Sequence, residues 1–320
     1  MRCLCCGKEI KNSASEHEKE HRWHKKCIKT FFGTTMMPEL DITESALEEL
    51  ANAIINKGLT VPGVQKKLSL HLSTDVNSRL TIVDYPTGYI LKPQTNEYEY
   101  LPEFEKLAMN LAGIAGISTV PNALIYNNEK YSYITRRIDR DIDSNGIVEM
   151  YAMEDFCQLA ERITADKYKG SYEKCGKIIG EFSSRAGLDM TELFMRVVFS
   201  FVIGNSDMHL KNFSLIETIP CERKFCLSPA YDMLPVNIVL PEDTDEMALT
   251  LNGKRSKFNK RDFMEFATKC GITDKAAEKM IDRICKCEEK FMKECNESYL
   301  PDVYIEKTKI LIKDRIERLI

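Results

Sequence analysis

The sequence predicts an α+β protein: a strand-rich middle and a long helical remainder, preceded by a short Cys/His segment. Three observations carry that expectation. Cys3, Cys6, His24 and Cys27 crowd the amino-terminal end, apolar residues alternate between Leu68 and Lys92, and 3.6-residue periodicity dominates the second half. With 320 residues, 43% of them hydrophobic and 29% charged, the chain can bury a substantial core. Its net charge of −4 comes without a Lys/Arg-dense stretch, so direct nucleic-acid binding is not expected. No run approaches the ~18 to 20 apolar residues of a membrane helix, and "MRCLCCGKEI" lacks the apolar block of a signal peptide. The expectation is a cytoplasmic protein without a membrane span, whose 12 cysteines are mostly thiols or metal ligands.

The first stretch, residues 1–33, pairs Cys3-x2-Cys6 with His24-x2-Cys27. Two short-spaced pairs suit a tetrahedral zinc ion, because each turn supplies two ligands while the intervening residues loop back. Gly7 permits the tight turn under the metal, and four protein ligands make a closed, structural site. Cys5, His17 and His21 are alternative ligands. Residues 34–57 are read as a connector and helix, with "FFGTTMMPEL" leading onto the main body and a capping signal at Thr43 opening a helix that ends at Gly58.

Residues 58–140 follow as the strand-rich part. A loop between Gly58 and Gly63 feeds a half-buried strand in which Leu68, Leu70 and Leu72 alternate with polar residues, and "TGYILKPQ" is a second strand ending near Lys92. Such a hairpin can lay backbone N–H groups over phosphates while a lysine reaches them from the next strand. In "LPEFEKLAMNLAGIAGI", Phe104, Leu107, Ala108, Leu111 and Ala115 share one helical face, and Glu105 at its edge is placed to orient that lysine. Two further strands flank an Asn127-Asn128 turn.

Residues 141–320 read as helical, with helices expected near 153–162, 172–185, 191–203, 260–269, 274–294 and 303–319. "ELFMRVVFSFVIGN" is apolar nearly all round, a buried helix that Gly204 ends, so the next residues emerge at the edge of the core. They include Asp207 and Asn212 in a D-x4-N spacing, and Asp232 follows in "SPAYDMLP". Phosphoryl transfer needs one carboxylate to orient the acceptor hydroxyl, with an amide oxygen and a second carboxylate to hold Mg²⁺. His209 is read as fixing the loop. Lys254 and Arg255 read as a solvated turn. A metal-dependent phosphohydrolase using Asp207, His209 and Asp232 is the rival enzyme, and an inactive fold that binds partners through the Cys/His segment is the non-catalytic one.

The stretches "TVPGVQKKLSL", "YILKP", "LPEFEKLAMNLAGIAGI", "ITRRIDR", "YAMEDFCQL", "DKYKGSYE", "GNSDMHLKNFSL", "SPAYDMLP" and "LTLNGKR", in that order, resemble the HipA-type serine/threonine kinases, toxins of bacterial toxin–antitoxin systems. The resemblance implies a bilobal, protein-kinase-like fold that uses ATP and Mg²⁺. It implies Asp207 as catalytic base, Asn212 and Asp232 as magnesium ligands, Lys92 as phosphate anchor and Glu105 as its partner. Gly63, Val64 and Gln65 would cover the phosphates, and the backbone from Thr135 through Arg136 to Arg137 would receive adenine. It further implies a protein substrate such as an aminoacyl-tRNA synthetase or another translation factor, a HipB-like helix-turn-helix antitoxin, and a separate HipS-like small protein. The chain lacks the long form's β-rich amino-terminal subdomain and so looks nearer the short HipT-like type. Where the family often carries autophosphorylated serines, this sequence has Thr60, Val61 and Pro62, leaving Thr60 as the one acceptor. A small-molecule kinase of the same fold is a further alternative.

Overall fold

A computed structural model describes residues 1–40, 67–73, 78–82, 88–127, 130–142 and 147–320. The helix expected after Thr43, the loop residues Thr60, Gly63, Val64 and Gln65, and Asn128 of the expected turn lie outside the described residues. The chain divides into two units, Met1–Lys106 with Pro121–Ile142, and Leu107–Val120 with Asp143–Ile320.

The first unit is built on a six-stranded sheet in the order β1-β3-β2-β4-β6-β5. Its strands are β1 (Glu39–Leu40), β2 (Leu68–Ser73), β3 (Arg79–Ile82), β4 (Tyr89–Pro93), β5 (Asn122–Asn127) and β6 (Lys130–Arg136). β2 pairs antiparallel with β4, Leu68 facing Leu91, and β4 pairs antiparallel with β6, Lys92 facing Tyr133. The alternation seen in the sequence is realised where Leu68 and Leu70 are buried while Ser69 is exposed. The Cys/His segment belongs to the same unit. Its Glu16–His21 helix starts on a capping box between Ser15 and Glu18. Its Lys25–Phe32 helix stops at Gly33, which takes a left-handed φ of 77°. The two phenylalanines expected to open a connector instead finish this helix: Phe31 and Phe32 pack between fully buried Trp23 and Tyr89 of β4. Tyr89 also donates its hydroxyl to the Phe31 carbonyl at 3.1 Å.

In the second unit the Ala186–Ile203 helix is buried without interruption from Leu193 to Ile203, as its all-round apolar sequence requires. Gly204 ends it at φ 71°, and a Cβ there would meet Leu311 at 2.9 Å, so both backbone and space demand glycine. The helices Tyr172–Phe182, Lys260–Lys269 and Asp302–Glu317 fall close to their expected positions. Two expectations need correction. The first three residues of the expected 153–162 helix form a strand, because Met153–Asp155 pairs antiparallel with Ser214–Glu217, which in turn pairs with Phe225–Leu227. Only Phe156–Leu159 is helical, started by an Asp155–Gln158 capping box. The expected 274–294 helix is broken into Asp274–Cys285 and Glu288–Asn296, with buried Cys287 at the break, its thiol directed to the Arg283 and Ile114 carbonyls. Among the described residues no helix is long and apolar enough to cross a membrane.

Candidate active site

In the first unit, the end of β4 carries Lys92 into contact with the Leu101–Ala115 helix. Its ammonium lies 2.5 Å from Glu105 Oε1, with the two side chains 4% and 2% exposed, and 5.3 Å from the centre of the Tyr133 ring. Removing both charges from water costs several kcal/mol per ion, so such a pair persists only where geometry and neighbours compensate. The sequence-predicted Lys92 and Glu105 are therefore brought together. Two residues earlier on the helix, burial pushes the Glu103 carboxyl up to about 7.

Thr135 and its neighbours are held within the same unit. Thr135 Oγ1 and the Arg136 N–H both donate to the Pro121 carbonyl, and the Arg137 N–H donates to Gly88. Arg137 and Arg140 converge on Asp139. Burial alone would raise that carboxyl, but their guanidinium groups outweigh it and hold it at about 2.

In the second unit, Asp207 stands at the tip of a loop that is otherwise packed. Its side chain is 39% exposed, while Asn205, Ser206, Met208, His209, Leu210 and Asn212 are buried. Asn205 Oδ1 accepts from the Asp207 N–H at 3.2 Å, and Ser206 donates to Asp243 at 2.6 Å. Asn212 donates its amide nitrogen to the Asp207 carbonyl at 2.8 Å, so its side-chain oxygen is the end suited to a cation. The Tyr168 hydroxyl donates to Asp207 Oδ1. Burial, followed by the Asp207 charge, pushes the phenol's pKa up and keeps it a donor. His209 Nε2 stays 3.9 Å from that carboxylate, while its ring packs edge-on against Tyr168 and its backbone bonds Asp207 and Asn212, a loop-fixing arrangement.

Asp232 adopts a left-handed φ of 57°, costly for a residue with a Cβ. The segment before it is fastened on several sides. Ser228 N–H bonds Ser214, fully buried Arg196 donates to the Ser228 carbonyl at 2.6 Å, and Ala230 pairs with Ser118 and Val120. The Tyr231 hydroxyl meets Ser214 Oγ at 2.5 Å and donates to the Lys211 carbonyl at 3.1 Å. Through Tyr231, the Asp232 segment is thus tied to residues on either side of Asn212. Sequence reasoning missed Tyr168, Arg196 and Tyr231. Lys254 and Arg255, read as a solvated turn, are 50% and 37% exposed; Lys254 also pairs with Asp262 at 2.7 Å, and Arg255 donates to the Tyr168 carbonyl at 3.0 Å.

At the amino terminus the ligand atoms of Cys3, Cys6, His24 and Cys27 all lie within 4.8 Å of one another. His24 Nδ1 is 3.4 Å from Cys6 Sγ and 3.9 Å from Cys27 Sγ, near the ~3.8 Å edge of a tetrahedron built on a Zn–S bond. Its Nε2 lies 3.2 Å from the Glu9 carbonyl, the outer bond that a metal-binding imidazole usually makes. Of the alternative ligands, His17 and His21 meet edge to face and His17 accepts from the Met37 N–H. Among the described residues this is the one group of three or more Cys, His, Asp or Glu side chains gathered as a metal site.

Residues 59–291 match the HipA-like C-terminal domain. The chain belongs to that family. It is 26% identical over 274 residues to a Haemophilus influenzae protein named "Putative kinase", covering 78% of each chain. It is 31% identical over 250 residues to a Sinorhizobium fredii protein, "Putative kinase Y4dM", where the match takes in 73% of this chain and 58% of the relative. Among solved structures, HipA from Shewanella oneidensis in its complex with HipB and operator DNA superposes with a TM-score of 0.70 at 17% identity, covering 85% of this chain and 70% of that one. The Helicobacter pylori proinflammatory kinase CtkA gives 0.54 at 12% identity, covering 79% and 93%. The kinase-like fold implied by the sequence resemblance is therefore present.

Proposed function

We propose that this chain is an ATP- and Mg²⁺-dependent serine/threonine protein kinase, the toxin of a toxin–antitoxin pair. The single observation that carries the reading is the buried Lys92–Glu105 ion pair, which holds an ammonium in place at the end of β4 as binding a nucleotide's phosphates requires. Support comes from the relatives named as kinases and from the fold shared with HipA and CtkA.

In this reading Lys92 anchors the phosphates of ATP, and Gly63, Val64 and Gln65 cover them. The N–H groups of Arg136 and Arg137 are already engaged, so the backbone from Thr135 to Arg137 meets adenine through carbonyls that accept from its amino group. Mg²⁺, held by the Asn212 side-chain oxygen and Asp232, would neutralise charge on the triphosphate. Asp207 orients the acceptor hydroxyl, whose oxygen forms a bond to the γ-phosphorus as the bond to the β,γ-bridging oxygen breaks. The hydroxyl proton passes to the Asp207 carboxylate, and ADP leaves. The Tyr168 hydroxyl, donating to Oδ1, steadies that carboxylate.

The partner is a HipB-like helix-turn-helix antitoxin, by analogy with the Shewanella complex, and a separate HipS-like small protein is a second proposed partner. An aminoacyl-tRNA synthetase is the proposed class of substrate, with Thr60 as the autophosphorylation position. Zinc bound by Cys3, Cys6, His24 and Cys27 is structural.

Incubation with γ-labelled ATP tests the reading. Phosphoserine or phosphothreonine is expected with Mg²⁺ and not without it, and Asp232→Asn is expected to abolish it. Labelling that ignores Mg²⁺ or survives Asp232→Asn contradicts the assignment.

A further inference from the structure

The zinc segment and the lysine–glutamate pair meet at one side chain. Lys106 directly follows Glu105, is 4% exposed, and donates to the Cys5 carbonyl at 2.8 Å, the Asn122 carbonyl at 3.2 Å and Asn122 Oδ1 at 3.0 Å. An ammonium has three N–H donors, and oxygens of Cys5 and Asn122 are among the groups that accept from this one. Cys5 sits in the turn between Cys3 and Cys6, which is closed by the Gly7 N–H donating to the Cys3 carbonyl at 2.8 Å. Asn122 opens β5, the outer strand of the sheet.

The same edge is covered two residues further on. The Leu124 N–H donates to the Leu4 carbonyl at 3.0 Å, and the Leu124 carbonyl accepts from Trp23 Nε1 at 3.1 Å. An open strand edge is thus satisfied by the metal-binding segment. Leu124 faces Tyr133 across the β5–β6 ladder, and the Tyr133 ring lies beside the Lys92 ammonium. Two paths therefore lead from the knuckle to Lys92. One runs through Lys106 and Glu105, the other through β5 and Tyr133.

We infer that the metal-bound knuckle is a clamp that holds Glu105 against Lys92, with Lys106 as a positioning residue for nucleotide binding. The inference rests on the zinc and kinase readings above. A turn this small keeps its shape only with its metal. Once the metal is lost, Cys5 no longer presents its carbonyl, the buried Lys106 ammonium loses that acceptor, and the start of the Leu101–Ala115 helix loosens.

Hydrogen exchange on the full chain reads the clamp without ATP. Removing zinc with a chelator, with metal content measured in parallel, is expected to deprotect peptides spanning 101–106 and 122–127 while leaving 193–203 protected. Lys106→Met is expected to retain zinc, deprotect the same peptides and raise the KM for ATP about 10-fold, more than it lowers kcat, with partial rescue by Lys106→Arg. Purified wild-type protein without zinc, or unchanged exchange after zinc removal, overturns the clamp. So does Lys106→Met with wild-type exchange and KM. Deprotection as expected in a protein that binds no ATP keeps the clamp as a structural device and removes its role in nucleotide binding, a failure of the kinase reading instead.

Discussion

Lys92→Met is expected to abolish phosphoryl transfer and to destabilise the protein by about 3–5 kcal/mol, because it strands the Glu105 carboxylate in a site where both partners are almost fully buried. The two losses have different causes and can be separated. Replacing both partners, Lys92→Met with Glu105→Leu, removes the uncompensated charge and is expected to restore most of the stability, since a buried ion pair is often exchanged for apolar packing at little net cost. It cannot restore an ammonium for the phosphates. Thermal or urea unfolding beside the labelled-ATP assay checks both halves. A double variant that regains transfer would show that Lys92 has no part in the chemistry, and a single variant as stable as wild type would show that the pair is not compensating buried charge.

Asp207→Asn is expected to lower kcat about 10²- to 10⁴-fold while leaving the affinity for ATP near its original value, the pattern of a group that orients and deprotonates the acceptor without gripping the nucleotide. The loop should survive the change, because its hold on the protein comes from the Asn205, Ser206 and Asn212 hydrogen bonds and from buried Met208. Tyr168→Phe deletes only the hydroxyl that steadies the carboxylate, and a fall in kcat of about 10-fold is expected, with packing against His209 retained. Kinetics with saturating ATP and a nucleotide-binding titration distinguish these outcomes. Equal losses in the two variants would mean that the phenol, rather than Asp207, is the group whose proton matters.

How far the sequence could be read depended on whether the decisive contact was local. The buried Ala186–Ile203 helix and its Gly204 stop were visible because apolar content and a left-handed terminus are written in adjacent residues. β2 and the Leu101–Ala115 helix followed from their periods of 2 and 3.6, and the Cys/His pairs from their spacing. Lys106 shows the opposite case. In the sequence it is one more helix lysine, and its role comes from acceptors 101 and 16 residues away. Tyr168 reaches Asp207 over 39 residues, and Arg196 hides in a helix whose pattern is otherwise apolar. The Met153–Asp155 strand was lost for the same reason: its partner at Ser214–Glu217 lies far along the chain, and tertiary pairing overrode local helical preference. Nothing in the composition around Asp232 announces its left-handed backbone, which is imposed by the fastening of residues 228–231.

The central proposal is that Lys92 holds the phosphates of ATP. An acyl-phosphate derivative of ATP, which transfers its acyl group to a lysine amine held beside the phosphates, tests this most directly when the modified peptides are identified by mass spectrometry. The account predicts acylation of Lys92 that MgATP blocks in the wild-type protein, with weaker Mg²⁺-dependent protection in Asp232→Asn. Acylation confined to other lysines, or labelling of Lys92 that MgATP leaves unchanged, would contradict it.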